Sequence, residues 1–524
     1  MSSVVGKQER GKMGKTENQS NKLASKAIAM FAIMIISKVL GFSRDILLAY
    51  KFGTSSIVDA YTVAITLPSV LFSVFVSGLN QSYIPFYTRM ESSKRKQEFF
   101  SNTLIIYAVV SVTVVIIGFL SRDLLASLLA PGFDSTRHDL CLSFIGIIIW
   151  MFPFYMIFAL MSAQLQTRED FNMSNICDFI VVNVVVILSI LTASPDEPSI
   201  LAIGYALSMV IASFILTIYF LMNGDTSFAP RRENAMHEFK DLMIIAIPVG
   251  LSFMVNQLNS VTDSVFSSTF SSGVTSGLNY ANKIQSIFLT LTTTVFMTVV
   301  FPRLNAYFAQ RRYVDGLYYI KKGLLVSSWL SIPFAAFVGV FARDIIIAMF
   351  QRGAFDETST AITTSCLVFY SVGIPFYSYV EIGSRTLTAS LKQKLILKDT
   401  TIAVAFNILA DYVLMKSIGY IGLSLATSIS GVLLFALYFI DIRRNDLICF
   451  NKEIVLEIIK IVVATIISIF VSVLVNTNLL VSLKPLIGVL FTASIFGGIY
   501  LVLCIILKVS ILGWLINRLG VKVN

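Results

Sequence analysis

The sequence predicts an all-α polytopic membrane protein of about 14 transmembrane helices, arranged as two six-helix lobes in pseudo-two-fold repeat plus two C-terminal helices. Three observations predict it. The 524 residues are 56% hydrophobic and only 13% charged, against roughly 25% charged in a soluble domain. Apolar runs of about 20 residues, the length that crosses a hydrocarbon core roughly 30 Å thick, recur from end to end. A block of sequence appears twice, in register, one six-helix unit apart.

The spans are predicted at 24–50, 58–88, 98–121, 140–165, 174–193, 199–222, 240–269, 276–306, 318–341, 361–390, 398–416, 420–441, 454–476 and 484–508. Residues 1–22 are polar and basic and read as a disordered cytoplasmic tail. The first apolar stretch is too long for a signal peptide and lacks a small-residue cleavage site, so it is expected to be retained. With the N-terminus inside, the cytoplasmic segments collect Arg89, Lys94, Arg95, Lys96, Arg231, Arg232, Arg311, Arg312, Lys392, Lys394, Arg443 and Arg444. The opposite loops hold few cations, Lys51, Arg122, Arg137 and Arg343 among them. This is the positive-inside asymmetry. It accounts for the net charge of +10 without a nucleic-acid partner and places both termini in the cytoplasm.

The repeat is explicit. SRDLLASLLAPGFD begins at 121 and PFY follows at 153–155; ARDIIIAMFQRGAFD begins at 342 and PFY follows at 375–377. The domains read as a tail (1–22), an N-lobe (23–223), a C-lobe (224–445) and a terminal pair with its tail (446–524). Parallel repeats around a central cavity are a transporter architecture, with the substrate between the halves.

Charges inside spans are costly and mark functional candidates. Lys38, Arg44 and Asp45 lie in span 1, Asp59 opens span 2, and Asp178, Asp263, Lys283, Glu381 and Asp411 lie in spans 5, 7, 8, 10 and 11. Lys38, Arg44 and Lys283 form a cationic group suited to an anionic substrate, since guanidinium clamps phosphate bidentately. A second group is oxygen-rich. Asn407 and Asp411, four apart, share a helix face, and Asp263 and Thr427 could add oxygens of the kind a hard cation accepts. A proton-carrying carboxylate, or a plain Asn–Asp hydrogen-bonded pair, fits the same residues.

Soluble catalysis finds no support. The two histidines, His138 and His237, are far apart in loops, and no Walker A, GxGxxG, HExxH or GxSxG motif occurs. Without a P-loop, an ion gradient or the membrane potential is the expected energy source. The five cysteines (Cys141, Cys177, Cys366, Cys449, Cys504) have neither disulfide-scaffold nor metal spacing and read as small packing residues.

SKVLGFSRD at 37–45, FGTSSIVDAYTVAITLP at 52–68, IPF at 84–86, LAPGFD at 129–134 and FQRGAFD at 350–356 together resemble the MurJ/MviN family of the multidrug/oligosaccharidyl-lipid/polysaccharide exporter superfamily. The likeness runs from span 1 to about span 12. It implies a non-enzymatic alternating-access flippase in the bacterial inner membrane. The implied cargo is lipid II, an undecaprenyl-pyrophosphate glycolipid, with cell-wall synthesis enzymes as further partners. Spans 13 and 14 would form a groove for the polyprenyl tail. Substrate-binding roles carry over to Lys38, Arg44, Asp45, Asp59 and Lys283. A sodium site carries over to Asp263, Asn407, Asp411 and Thr427, with the carbonyl of Leu423; no other cofactor is implied. The sequence departs from the family at Lys283, where arginine is typical, and in span 2. There Phe72, Ser73 and Ser77 occupy a stretch that carries arginines and a glutamate in the family. A flippase for another undecaprenyl-linked glycan is therefore the first alternative. A cation-coupled drug exporter and a non-transporting scaffold follow it.

Overall fold

A computed structural model describes residues 32–71, 78–168, 170, 172–223, 230, 232–310, 312–445, 452–479 and 484–513. Phe72, Ser73, Ser77, Cys449 and both predicted tails lie outside the described residues, apart from the first few after 508. Among the described residues there is no strand. In a bilayer this follows from hydrogen bonding: with no water to satisfy backbone groups, a spanning segment must close its bonds within itself.

In chain order the helices are α1 (32–52), α2 (Ser56–Leu71), α3 (Gly78–Thr88), α4 (Ser93–Leu120), α5 (Arg122–Leu129), α6 (Ser135–Ile148) and α7 (Phe152–Gln166). Next come α8 (Asn172–Ile176), a π turn (Cys177–Val181) that carries Asp178, α9 (Val182–Thr192) and α10 (Ser199–Asn223). The chain continues through α11 (Arg232–Ser267), α12 (Val274–Val299), α13 (Phe301–Ala309), α14 (Tyr313–Val340), α15 (Ala342–Met349) and α16 (Glu357–Ala389). It closes with α17 (Gln393–Ile418), α18 (Ile421–Arg444), α19 (Lys452–Leu479) and α20 (Pro485–Ile506).

Helices occupy every one of the predicted span positions, and among the described residues ten are long and apolar enough to cross a membrane. Several begin well before the predicted span; α11, for example, starts at Arg232. Hydropathy marks the hydrocarbon core, whereas the hydrogen-bond ladder continues into the headgroup region. The predicted span 276–306 is broken after Val299, where Pro302 opens α13. Proline cannot supply the amide that a continuous ladder needs.

The internal repeat is visible in the elements. A 28-residue helix, α4, leads into the 8-residue α5, and a 28-residue helix, α14, leads into the 8-residue α15. A glycine turn follows each short helix, then an aspartate that caps the next long one. The Arg137 amide donates to Asp134 Oδ1 at 3.0 Å, and the Ser359 amide donates to Asp356 Oδ1 at 2.8 Å. These bonds hold both carboxyls below the usual carboxylate range.

By contacts the chain forms two compact units. One comprises Ala64–Ala126, Asp139–Met254 and the chain up to Leu48; the other comprises Ala49–Val63, Ser127–His138 and the chain from Val255 onward. In the first, Tyr83 stacks on Phe99 and donates its hydroxyl to Gln164 at 2.9 Å, tying α3, α4 and α7 together. In the second, α14 has two buried faces. Tyr319, Ile320 and Leu324 pack with α13, α16 and α18, while Leu325 and Val326 pack with α19 and α20. Lipid tails are as apolar as these side chains, so van der Waals fit rather than water exclusion holds such helices together. Outward positions such as Ile116 on α4 and Phe470 on α19 are more than half exposed, as lipid-facing residues should be. Cys141, Cys177, Cys366 and Cys504 are buried and unbridged.

Candidate functional site

The predicted residues fall into two constellations, one in each unit. In the first, Lys38 is exposed on α1 and Arg44 is half-buried one and a half turns later. The Arg44 guanidinium donates through Nε and Nη2 to Asp45 Oδ1 at 3.1 and 2.9 Å, and through Nη1 to Asn183 Oδ1 at 3.3 Å. The Asn183 amide donates in turn to the Phe179 carbonyl at 2.7 Å, beside the π turn. A π turn widens the ladder locally and commonly marks functional segments. The sequence sets Asp45 beside Arg44 but does not reveal the contact to Asn183, whose one signal is an amide in the middle of an apolar span.

In the second unit Asp59 is fully buried, and both its oxygens are engaged. Oδ2 accepts from the Gly273 amide at 2.7 Å and Oδ1 from the Ser276 amide at 2.9 Å, at the start of α12. A carboxylate satisfies there the orphan donors of a helix N-terminus and its partial positive charge. Arg137 Nη1 lies 3.7 Å from Asp59, and its Nε donates to Asp134 Oδ2 at 2.7 Å. The cation beside Asp59 is thus Arg137, which the sequence presented only as a loop charge. Lys283 is half-buried further along α12. Glu381 pairs within α16 with Arg385 at 2.8 Å.

The oxygen-rich group gathers in this unit as well. Asn407 and Asp411 on α17 are 1% and 0% exposed. Both side-chain heteroatoms of each, and Oδ1 of Asp263, are buried without a hydrogen-bond partner among the described residues. Asp263 lies within electrostatic reach of Asp411, and both lie within reach of Tyr370 and Tyr377 on α16. Thr427 Oγ1 donates to the Leu423 carbonyl at 3.1 Å, leaving lone pairs on both oxygens. Buried polar atoms without partners cost about 1–3 kcal/mol each, so this set fits a bound cation. Among the described residues no three of His, Cys, Asp or Glu gather in metal-binding fashion. The available donors are carboxylate, amide and hydroxyl oxygens, the hard set that suits an alkali ion.

The terminal helices frame a third feature. A cavity of about 410 Å³ lies between α12, α14, α15 and α20, lined by Phe288, Trp329, Phe334, Phe337, Phe496 and Tyr500 among others. Its wall is almost wholly apolar, and the Tyr500 hydroxyl is turned away into a bond to the Trp329 carbonyl at 2.8 Å.

The fold is that of a multi-pass helical membrane protein, and the family its sequence matches is one of lipid transporters rather than enzymes. Residues 48–490 match the family model "Lipid II flippase MurJ", and the chain belongs to that family. A probable lipid II flippase MurJ from Buchnera aphidicola subsp. Schizaphis graminum is 24% identical over 84% of this chain and 88% of its own length. The Vibrio cholerae serotype O1 counterpart is also 24% identical, over 80% and 83%. Among solved structures, a lipid II flippase MurJ in an inward closed conformation superposes with a TM-score of 0.81 at 23% identity, covering 92% of this chain and 99% of that one. An inward-facing multidrug resistance MATE family transporter of the MOP superfamily gives 0.65 at 15% identity, covering 80% and 98%. These two likenesses concern the fold.

Proposed function

We propose that this protein translocates lipid II from the cytoplasmic to the outer leaflet of the bacterial inner membrane, with both termini in the cytoplasm. Transport proceeds by alternating access and is driven by membrane potential, sodium or both. The observation that carries the reading is the apolar cavity beside α20. It suits a polyprenyl chain, and it lies where the terminal helix α20 meets α12, α14 and α15 of the second repeat, so that a tail can stay in an apolar setting while the headgroup crosses. Lys38, Arg44 and Lys283 supply positive charge for the diphosphate. The Arg44 fork, already held by Asp45 and Asn183, meets the substrate in a fixed orientation, which limits the rotamer entropy lost on binding. Asp263, Asn407, Asp411, Thr427 and the Leu423 carbonyl would hold sodium, whose charge would offset the two neighbouring carboxylates.

The gene should restore growth to a strain depleted of its own lipid II flippase. The purified protein in liposomes should move lipid II faster with a sodium gradient or potential than without. Failure of complementation by a well-expressed, correctly inserted protein would sink the lipid II assignment. Because Phe72, Ser73 and Ser77 replace the charged residues typical of span 2, the second reading is another undecaprenyl-linked glycan. Transport of such a glycan in the same liposomes would select it.

A further inference from the structure

We propose that Asn259 is an additional ligand of the cation site formed by Asp263, Asn407 and Asp411; the inference rests on the cation reading above and extends it. Three observations carry it.

The first is pairing. Asn259 stands four residues before Asp263, as Asn407 stands four before Asp411, so each pair lies on one helix face. The two helices run in the same direction at this point. Phe266 packs 6.5 Å from Tyr412, and Phe270 packs 6.2 Å from Tyr420. These contacts join residues 146 and 150 apart in the chain, straddling the 148 that separates Asn259 from Asn407 and Asp263 from Asp411. The two amides are therefore level with each other, and so are the two carboxylates.

The second is satisfaction. Asn259 Oδ1 is sealed from solvent without a hydrogen-bond partner among the described residues, like Asn407 Oδ1 and both carboxylate oxygens of Asp411. Buried carboxylate and amide oxygens that accept no hydrogen bond are unfavourable unless a cation sits among them.

The third is the repeat. Asp45 precedes Phe52 by seven residues, as Asp263 precedes Phe270, and a glycine with positive φ follows each phenylalanine, directly at Gly53 and after two serines at Gly273. In the first half the aspartate and an asparagine of α9, Asn183, are bridged by the guanidinium of Arg44. In the second half Thr262 takes the place of Arg44, with its hydroxyl bonded to the Leu258 carbonyl at 2.8 Å. The equivalent aspartate and asparagine are left with no built-in cation from that position. On the same alignment Asn259 corresponds to Gly41. A Cβ built on Gly41 would lie 3.7 Å from Asn183 Oδ1. In the second half the corresponding position carries a real side chain, that of Asn259.

The test is direct ion binding. Sodium-dependent thermal stabilisation and 22Na⁺ equilibrium binding would be measured on the purified full chain, with Asp411→Ala as the control that removes the site. Asn259→Ala should lower sodium affinity at least about tenfold, as loss of a coordinating or supporting group typically does. Asn259→Asp should retain binding and shift preference toward calcium, because a third carboxylate favours the divalent ion. If the unaltered protein binds sodium and Asp411→Ala does not, normal affinity in Asn259→Ala overturns the ligand while leaving the site. Absence of sodium binding in the unaltered protein overturns both. Should Asn259→Ala not fold, Asn259→Asp decides: an unchanged ion preference overturns the assignment.

Discussion

Asp134 and Asp356 show at single residues how the repeat is built. Each carboxylate takes the amide three residues on, and each is held below its ordinary titration range by that bond. A group whose folded pKa is depressed contributes stability that is present above the unfolded value and lost as pH falls through the folded one. Thermal stability in detergent should therefore drop on acidification below about pH 4. Asp134→Asn with Asp356→Asn should flatten that part of the profile, and an unchanged slope would contradict the assignment. At the same scale, Arg44 shows the limit of reading charges one at a time. Its guanidinium is shared between Asp45 and Asn183, so its place in the site depends on a residue 139 positions away.

At the scale of elements, the loop after each short helix docks against the end of a first helix. The Gly132 amide donates to Ser268 Oγ at 3.1 Å, just past α11. The Ala354 amide donates to the Tyr50 carbonyl at 2.8 Å, near the end of α1. The approach is close enough to require glycine. A Cβ on Gly353 would lie 2.3 Å from the Tyr50 carbonyl oxygen, and one on Gly53 would lie 2.3 Å from that of Ala354, both at positive φ. Gly353→Ala should destabilise the protein by roughly 1–2 kcal/mol from the left-handed backbone alone, and by more from the clash. A melting temperature equal to that of the unaltered protein would show that the turn can move aside. The motifs PGFD and RGAFD announce tight turns in the sequence, but not which helix end each turn meets.

For the whole molecule, the cavity beside α20 is where a substrate tail can be tested apart from its headgroup. Gly497 lines it, and a Cβ there would meet nothing within 4 Å. Gly497→Phe should therefore fold normally and fill the space. A displaced tail enters lipid rather than water, so the penalty is steric and not hydrophobic. A misfit of roughly 1–3 kcal/mol corresponds, near the lower end, to about a tenfold loss of transport at limiting substrate. Undiminished lipid transport in liposomes would remove the tail from this cavity.

The sequence by itself determined the class and the repeat, because a bilayer imposes its requirements locally. Twenty apolar residues in succession, a glycine turn or a capping aspartate are each decided within a few positions, and hydropathy and short motifs record them. Asp263, Asn407 and Asp411 were legible for the same reason, as polar groups where lipid admits none. Only the tertiary structure decided partners. That Asp59 caps α12 beside Arg137, that Asn183 completes the Arg44 cluster and that Asn259 stands level with Asn407 depend on helices distant in sequence. Which oxygens are left without a hydrogen is a property of packing, and no span announces it alone.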